Sequence, residues 1–156
     1  MAISVCEVSI THAPLKVPTR SGNEAAGAVV DFWGVVRRIE DGREISGIDY
    51  EAHSGMAEHQ MRKLAETAVR KFGLTNVAIC HRIGFVAAME PSIVVHIESA
   101  HRGAAFNASQ WIMDELKETV PIWKHPVFTQ RNEVDPATKE ADEILPQGST
   151  SLSSNP

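Results

Sequence analysis

The sequence predicts an α+β fold, with a mixed or antiparallel sheet and helices packed on one side. Three observations carry this. First, "GAVVDFWGVVRR" is β-branched and aromatic, which predicts a strand from Gly27 to Arg37. Asp41-Gly42 just beyond it is a hairpin signal, leading to a returning strand in "ISGIDYEAH". Second, "GMAEHQMRKLAETAVRKFG" and the stretch from Gly103 to Thr119 repeat apolar residues at helical spacing. Third, two more strand-like runs, "NVAICHRIG" and "PSIVVHIESA", lie between those helices.

Taken in order, "SVCEVSI" alternates weakly and reads as a first strand. "THAPLKVPTRSGNEA" is rich in breakers and reads as a loop with room for a short helical turn. Gly34 interrupts the second strand, where it marks a bulge or a close backbone approach. In the first helix Met61, Leu64, Ala65, Ala68 and Phe72 form the apolar stripe, and Gly73 stops it. Ile93, Val95 and Ile97 share one face of the later strand. The second helix buries Phe106, Ser109, Ile112, Met113 and Leu116, and Pro121 ends it. "PVFTQRNEVD" reads equally as a last strand or as a loop. From Pro136 the composition turns to Ser, Pro and Gly. Residues 1–135 therefore read as one domain and 136–156 as a disordered tail.

The totals exclude several function classes. The 156 residues suit one domain, and 43% hydrophobic with 22% charged is ordinary for a globular chain. A net charge of -5 argues against nucleic-acid binding by bulk electrostatics, though not against a local basic pocket. The N-terminus lacks the pattern of a signal peptide, and no apolar run approaches the ~20 residues of a membrane span. A cytoplasmic protein is the expectation. Cys6 and Cys80 sit among apolar residues and read as buried free thiols. His53 and His59 match no metal-ligand spacing, so no metal and no cofactor is expected. There is no Gly-rich phosphate loop and no nucleophile elbow.

The chemistry concentrates in "SAHRGAAFNASQWIMDELKETVPIWKHP". His101 and Arg102 occupy a strand-to-helix corner, where helix N–H groups and an arginine fork together suit an anion. An uncharged cap beside a solvated arginine explains them equally well. Lys117 falls in the last helical turn, where a lysine also simply complements the helix dipole. Lys124 follows the apolar "VPIW"; a lysine held partly dry there would lose its proton more readily. Spacing alone favours a surface lysine at each position. Arg37 and Arg38 end the second strand, and strand alternation sends one of them toward any site on that face. His81-Arg82 reads as structural, and Trp33, Trp111 and Trp123 as core or interface. The residues thus leave two readings open, ordinary surface charge or an anion site built from several elements with no serine or cysteine nucleophile of its own.

Those residues also carry a resemblance. "GAVVDFWGVVR", "EAHSGMA", "CHRIG" and "ESAHRGAAFNASQWIMDELKETVPIWK" occur in the order found in the MoaE family, the large catalytic subunits of molybdopterin synthase. The chain resembles that family from about Gly27 to Lys124. The resemblance implies an α/β hammerhead and a sulfurtransferase. It implies conversion of cyclic pyranopterin monophosphate to molybdopterin by building a dithiolene. The sulfur would come from the C-terminal Gly-Gly thiocarboxylate of a small ubiquitin-like partner (MoaD-like), in a heterotetramer around a dimer of large subunits. That would explain the missing nucleophile. The same resemblance implies that Lys117 and Lys124 are catalytic and touch substrate. It further implies that Arg37, His101 and Arg102 bind the substrate anion, with Arg37 entering the neighbouring subunit's site.

Four features depart from the family's pattern. His53 replaces a usual tyrosine and Met89 a usual glycine. His125 and Pro126 replace a cation and an acid. The late tryptophan strand is absent, and the text after Arg131 is unusual. Two other readings remain at this point: a MoaE-like binding protein without turnover, and an unrelated small-anion-binding module.

Overall fold

The computed structural model describes residues 5–130. The expected domain boundary at 135/136, the tail and the departures after Arg131 lie outside them. Two sheets share the work. The first has the order β1 (Val5–Thr11), β5 (Asn76–Arg82), β7 (Pro91–Ser99), β2 (Ala28–Val35). β1 and β5 are parallel and the other pairs antiparallel, so this sheet is mixed. The second holds β3 (Ile39–Glu40), β4 (Arg43–Ala52) and β6 (Gly84–Ala87), with β8 (Ile122–Phe128) also paired to β4. Helices α1 (Ser54–Phe72) and α2 (Arg102–Thr119) pack on each other and on the first sheet.

The α+β reading agrees with this architecture, and its helix ends follow from local chemistry. His53 caps α1 by accepting the Met56 N–H on its side chain at 3.4 Å. Gly73 closes α1 in the left-handed conformation, φ 63. Asp41 and Gly42 both have positive φ, 50 and 72, as a two-residue hairpin turn requires.

Four readings change. The strand expected to reach Arg37 stops at Val35, because the register shifts between Gly34 and Val35. A Cβ at Gly34 would lie 2.6 Å from Ile93 Cγ2, so the glycine allows β2 and β7 to approach. The hairpin at Asp41-Gly42 joins only β3 to β4; the long strands diverge into different sheets. β6 is a four-residue strand that the sequence pattern did not mark. The last strand runs Ile122–Phe128, starting straight after Pro121. Among the described residues β8 pairs on one side only, with β4, an edge position that tolerates Pro126. Residues 12–25 run as a loop that ends in a single turn, where the Asn23 carbonyl accepts from Ala26 N–H at 3.1 Å.

One core lies between the helices and the first sheet, built on Met61, Leu64, Ile79, Val95, Ile97 and Ile112. β7 is buried on both faces: Ile93, Val95 and Ile97 point to this core, while His96 and Glu98 alternate with them. A smaller core of Val36, Ile45, Ile48, Tyr50, Ile83 and Val86 belongs to the second sheet. Ile10, Ala52 and Ile122 pack on both cores and join the sheets. α2 turns Ala105 and Ala108 to the sheet, which displaces Phe106 to the surface at 61% exposure. Trp123 is likewise exposed, at 52%. Cys6 and Cys80 are free but half-buried rather than buried. Among the described residues, no helix is long and apolar enough to cross a membrane.

Candidate functional site

Two regions of exposed cation are held apart by α2. At its start, His101 is the extended N-cap residue, φ -131, and its side chain makes no cap bond. Arg102 opens the helix, and the first turn contains no acidic residue. The helix N–H groups there are thus offered outward beside an arginine, as an anion site needs. Ser99 Oγ donates to the His101 carbonyl at 2.6 Å and fixes the corner.

At the far end, Lys117 occupies the last turn of α2. It borders a cleft of about 290 Å³ with Phe32, Phe106, Met113 and Asp114. Phe32 and Phe106 are 36% and 61% exposed, giving the cleft two aromatic faces beside one ammonium. Such walls suit a flat heteroaromatic ring. Phe106 was expected in the core and Phe32 was singled out for nothing. Helical periodicity placed Phe106 in the apolar stripe of α2 but could not tell rim from interior.

Arg37 follows Val36 just beyond β2, and its Nη2 meets Glu40 Oε2 at 3.1 Å while 76% of the side chain stays exposed. An exposed pair of this kind holds a side chain only loosely. Arg38 makes a longer contact with Glu44, 4.0 Å. Lys124 is the third residue of β8, opposite Tyr50 of β4. It is exposed rather than held dry, which removes the desolvation expected from its apolar neighbours. His125 reaches Glu51 Oε2 at 3.1 Å, so it pairs locally.

The five residues do not form one cluster within a chain. From Arg102 to Lys117 a helix advances about 22 Å. A two-residue link makes α2 fold back along β7, so its C-terminal turn lies toward Pro91, where β2 ends at Val35. His101-Arg102 therefore stand at the opposite end of α2 from Lys117, and Arg37 is not among the residues lining the Lys117 cleft.

Beneath Lys124 lies a buried polar group. Tyr50 and His81 meet edge to face, 5.2 Å between ring centroids. Tyr50 donates its hydroxyl to Ser92 Oγ at 3.1 Å, and Ser92 Oγ reaches the Gly34 carbonyl at 3.4 Å. His81 Nδ1 lies 2.8 Å from the Arg82 carbonyl, an acceptor, so Nδ1 carries the proton. Burial pushes His81 down to about 4; the Arg82 carbonyl opposes this, and the Lys124 charge adds to it. His81 is therefore neutral at pH 7.

Residues 10–119 match the family described as MoaE protein. The chain belongs to the MoaE family. It is 42% identical to the molybdopterin synthase catalytic subunit of Thermoplasma volcanium over 119 residues, 76% of this chain and 87% of that one. It is 40% identical to the same subunit of Pseudomonas aeruginosa, over 80% of this chain and 83% of that one. Its fold matches the crystal structure of molybdopterin synthase from Staphylococcus aureus at TM-score 0.70 and 29% identity, covering 78% of this chain and 90% of that one. The MoaE match takes in Arg37, His101, Arg102 and Lys117, and it ends before Lys124. Among the described residues no group of three His, Cys, Asp or Glu is placed to hold a metal.

Proposed function

We propose that this MoaE chain makes molybdopterin from cyclic pyranopterin monophosphate, taking sulfur from the C-terminal thiocarboxylate of a small ubiquitin-like subunit. Lys117, at the rim of a cleft walled by two exposed phenylalanines, is the observation that carries this reading. The pterin ring lies against Phe32 and Phe106. Lys117 stabilises the charge that develops during transfer and passes a proton. Lys124 holds the substrate or the incoming tail. Arg37, His101 and Arg102 bind the substrate's anionic groups with charge-assisted hydrogen bonds. The sulfur nucleophile belongs to the partner, so this chain contributes charge, position and protons.

The separation of about 22 Å along α2 implies a composite site. A substrate touching both Lys117 and His101-Arg102 must lie between two copies of the chain. The working assembly is a dimer of this chain with a small subunit at each end. The basic groups of one protomer complete the cleft of the other.

Reconstitution tests the reading. Purified chain, thiocarboxylated small subunit and cyclic pterin should yield molybdopterin. Binding of the small subunit without product would mark a chain that has lost turnover. Pterin binding indifferent to the small subunit would mark an anion-binding module instead.

A further inference from the structure

The His81-Arg82 dipeptide of β5 takes no part in the reaction described above, yet its two side chains lead toward two of the site's cations. His81 is 5% exposed and packs edge-on against Tyr50, which stands opposite Lys124 in the β4–β8 ladder. Tyr50 is anchored in turn by Ser92, and Ser92 by the Gly34 carbonyl at the β2 bulge. This chain of contacts crosses from the first sheet to the second and anchors β4, the strand that pairs with β8. Arg82 runs the other way. Its Nη1 meets Glu90 Oε2 at 2.7 Å with the arginine side chain only 13% exposed. The Glu90 carbonyl accepts from Val36 N–H at 2.9 Å, and Met89 N–H donates to the Val36 carbonyl at 2.7 Å. Val36 immediately precedes Arg37, whose own ion pair with Glu40 is exposed. One restraint on the Arg37 backbone thus returns to Arg82; on the other side, the Arg38 carbonyl accepts from Ile45 N–H at 2.8 Å.

We propose that His81 and Arg82 are positioning residues: His81, through Tyr50, sets where Lys124 stands, and Arg82, through Glu90 and Val36, sets where Arg37 stands. This rests on the assignment of Lys124 and Arg37 to substrate binding. A rigid strand serves the purpose, because adjacent residues of one strand project in opposite directions from one fixed backbone. An uncharged imidazole matters for the same reason, since a second positive charge beside Lys124 would push the ammonium away. Neither residue touches substrate. Their loss should misplace the cations rather than remove them, and cations used for binding then report through KM.

The test uses the reconstituted synthase and compares His81→Asn, Tyr50→Phe, Arg82→Lys and Arg82→Gln with the parent chain. His81→Asn and Arg82→Gln should raise KM for the pterin about fivefold with kcat within about twofold, and Arg82→Lys should recover most of the loss. Tyr50→Phe removes one oxygen from a residue that keeps its ring, so it serves if His81→Asn does not fold; a KM increase of about threefold is expected. In a Lys124→Ala background, His81→Asn should have no further effect on KM, and in an Arg37→Ala background neither should Arg82→Gln. Equal KM increases with and without the cation would overturn the proposal, as would lowered thermal stability with unchanged KM. If Lys124→Ala and Arg37→Ala themselves leave KM unchanged, the assignment of those cations fails, and the proposal fails with it for that separate reason.

Discussion

His81 provides a quantitative test of the packing between the two sheets. The side chain is 5% exposed and its pKa is lowered from 6.5 to about 4, chiefly by burial. As pH falls below 6.5 the unfolded chain takes up a proton that the folded chain refuses until about pH 4. Stability from this group is thus complete above pH 6.5 and is lost on acidification through that interval. A separation of about 2.5 pH units at about 1.4 kcal/mol each gives on the order of 3 kcal/mol in full, most of which is gone by pH 4.5. Urea unfolding at pH 7.5, 6.5, 5.5 and 4.5 measures it, with His81→Asn as the control that cannot titrate. The parent should lose about 2–3 kcal/mol more than the variant across this range. Parallel stability curves for the two chains would refute the claim that a buried, neutral imidazole supports Tyr50.

Three other outcomes follow from single residues. Burial works to raise the Glu98 pKa, but hydrogen bonds from Asn76, Ser21 and His96 outweigh it and the net shift is downward. Glu98 therefore stabilises the fold above about pH 4.5 and the contribution disappears as pH falls further, so Asn76→Ala should move the acid-unfolding midpoint, read by tryptophan fluorescence, to higher pH. Met89 is 63% exposed and holds φ 74, a conformation that costs a side chain about 1–2 kcal/mol, so Met89→Gly should raise stability by up to about 1 kcal/mol in a thermal melt; an unchanged or lower Tm would contradict this. Lys117→Ala should collapse kcat while small-subunit affinity stays nearly constant, and Lys117→Arg should rescue poorly because arginine hardly yields a proton; Lys124→Ala should chiefly raise KM. Single-turnover assays with excess thiocarboxylated partner decide it, and a full rate from Lys117→Ala would dismiss the catalytic assignment.

The sequence was most legible where one residue type dictates the backbone. Gly73 and Pro121 mark the helix ends, and Asp41-Gly42 marks the hairpin. It was least legible where a long-range contact decides. Nothing local separates a hairpin of long strands from two strands that diverge into different sheets after a two-residue β3. Phe106 lies at helical spacing from Ser109 and Leu116, yet the sheet selects the neighbouring alanine face, and only the packed helix shows which side wins. The cations illustrate the same limit. Residue types and resemblance pick out Arg37, His101, Arg102, Lys117 and Lys124, while spacing alone describes them as surface charge. All five are exposed in the isolated chain, and the length of α2 separates His101-Arg102 from Lys117. The Tyr50–His81 contact escaped notice because its partners are far apart in sequence and meet only when the two sheets pack.

The composite site is the central claim, and complementation between two inactive chains tests it most directly. One chain carries Lys117→Ala and the other carries His101→Ala with Arg102→Ala. Each alone should be inactive with thiocarboxylated small subunit and cyclic pterin. Unfolded and refolded together in equal amounts, about half of the dimers should be hybrids, each with one intact site, restoring roughly a quarter of parental activity. Recovery near that level places the two groups of cations on opposite protomers of one site. No recovery, with hybrid dimers demonstrated by mass, would place both groups in the same chain's site and contradict the account.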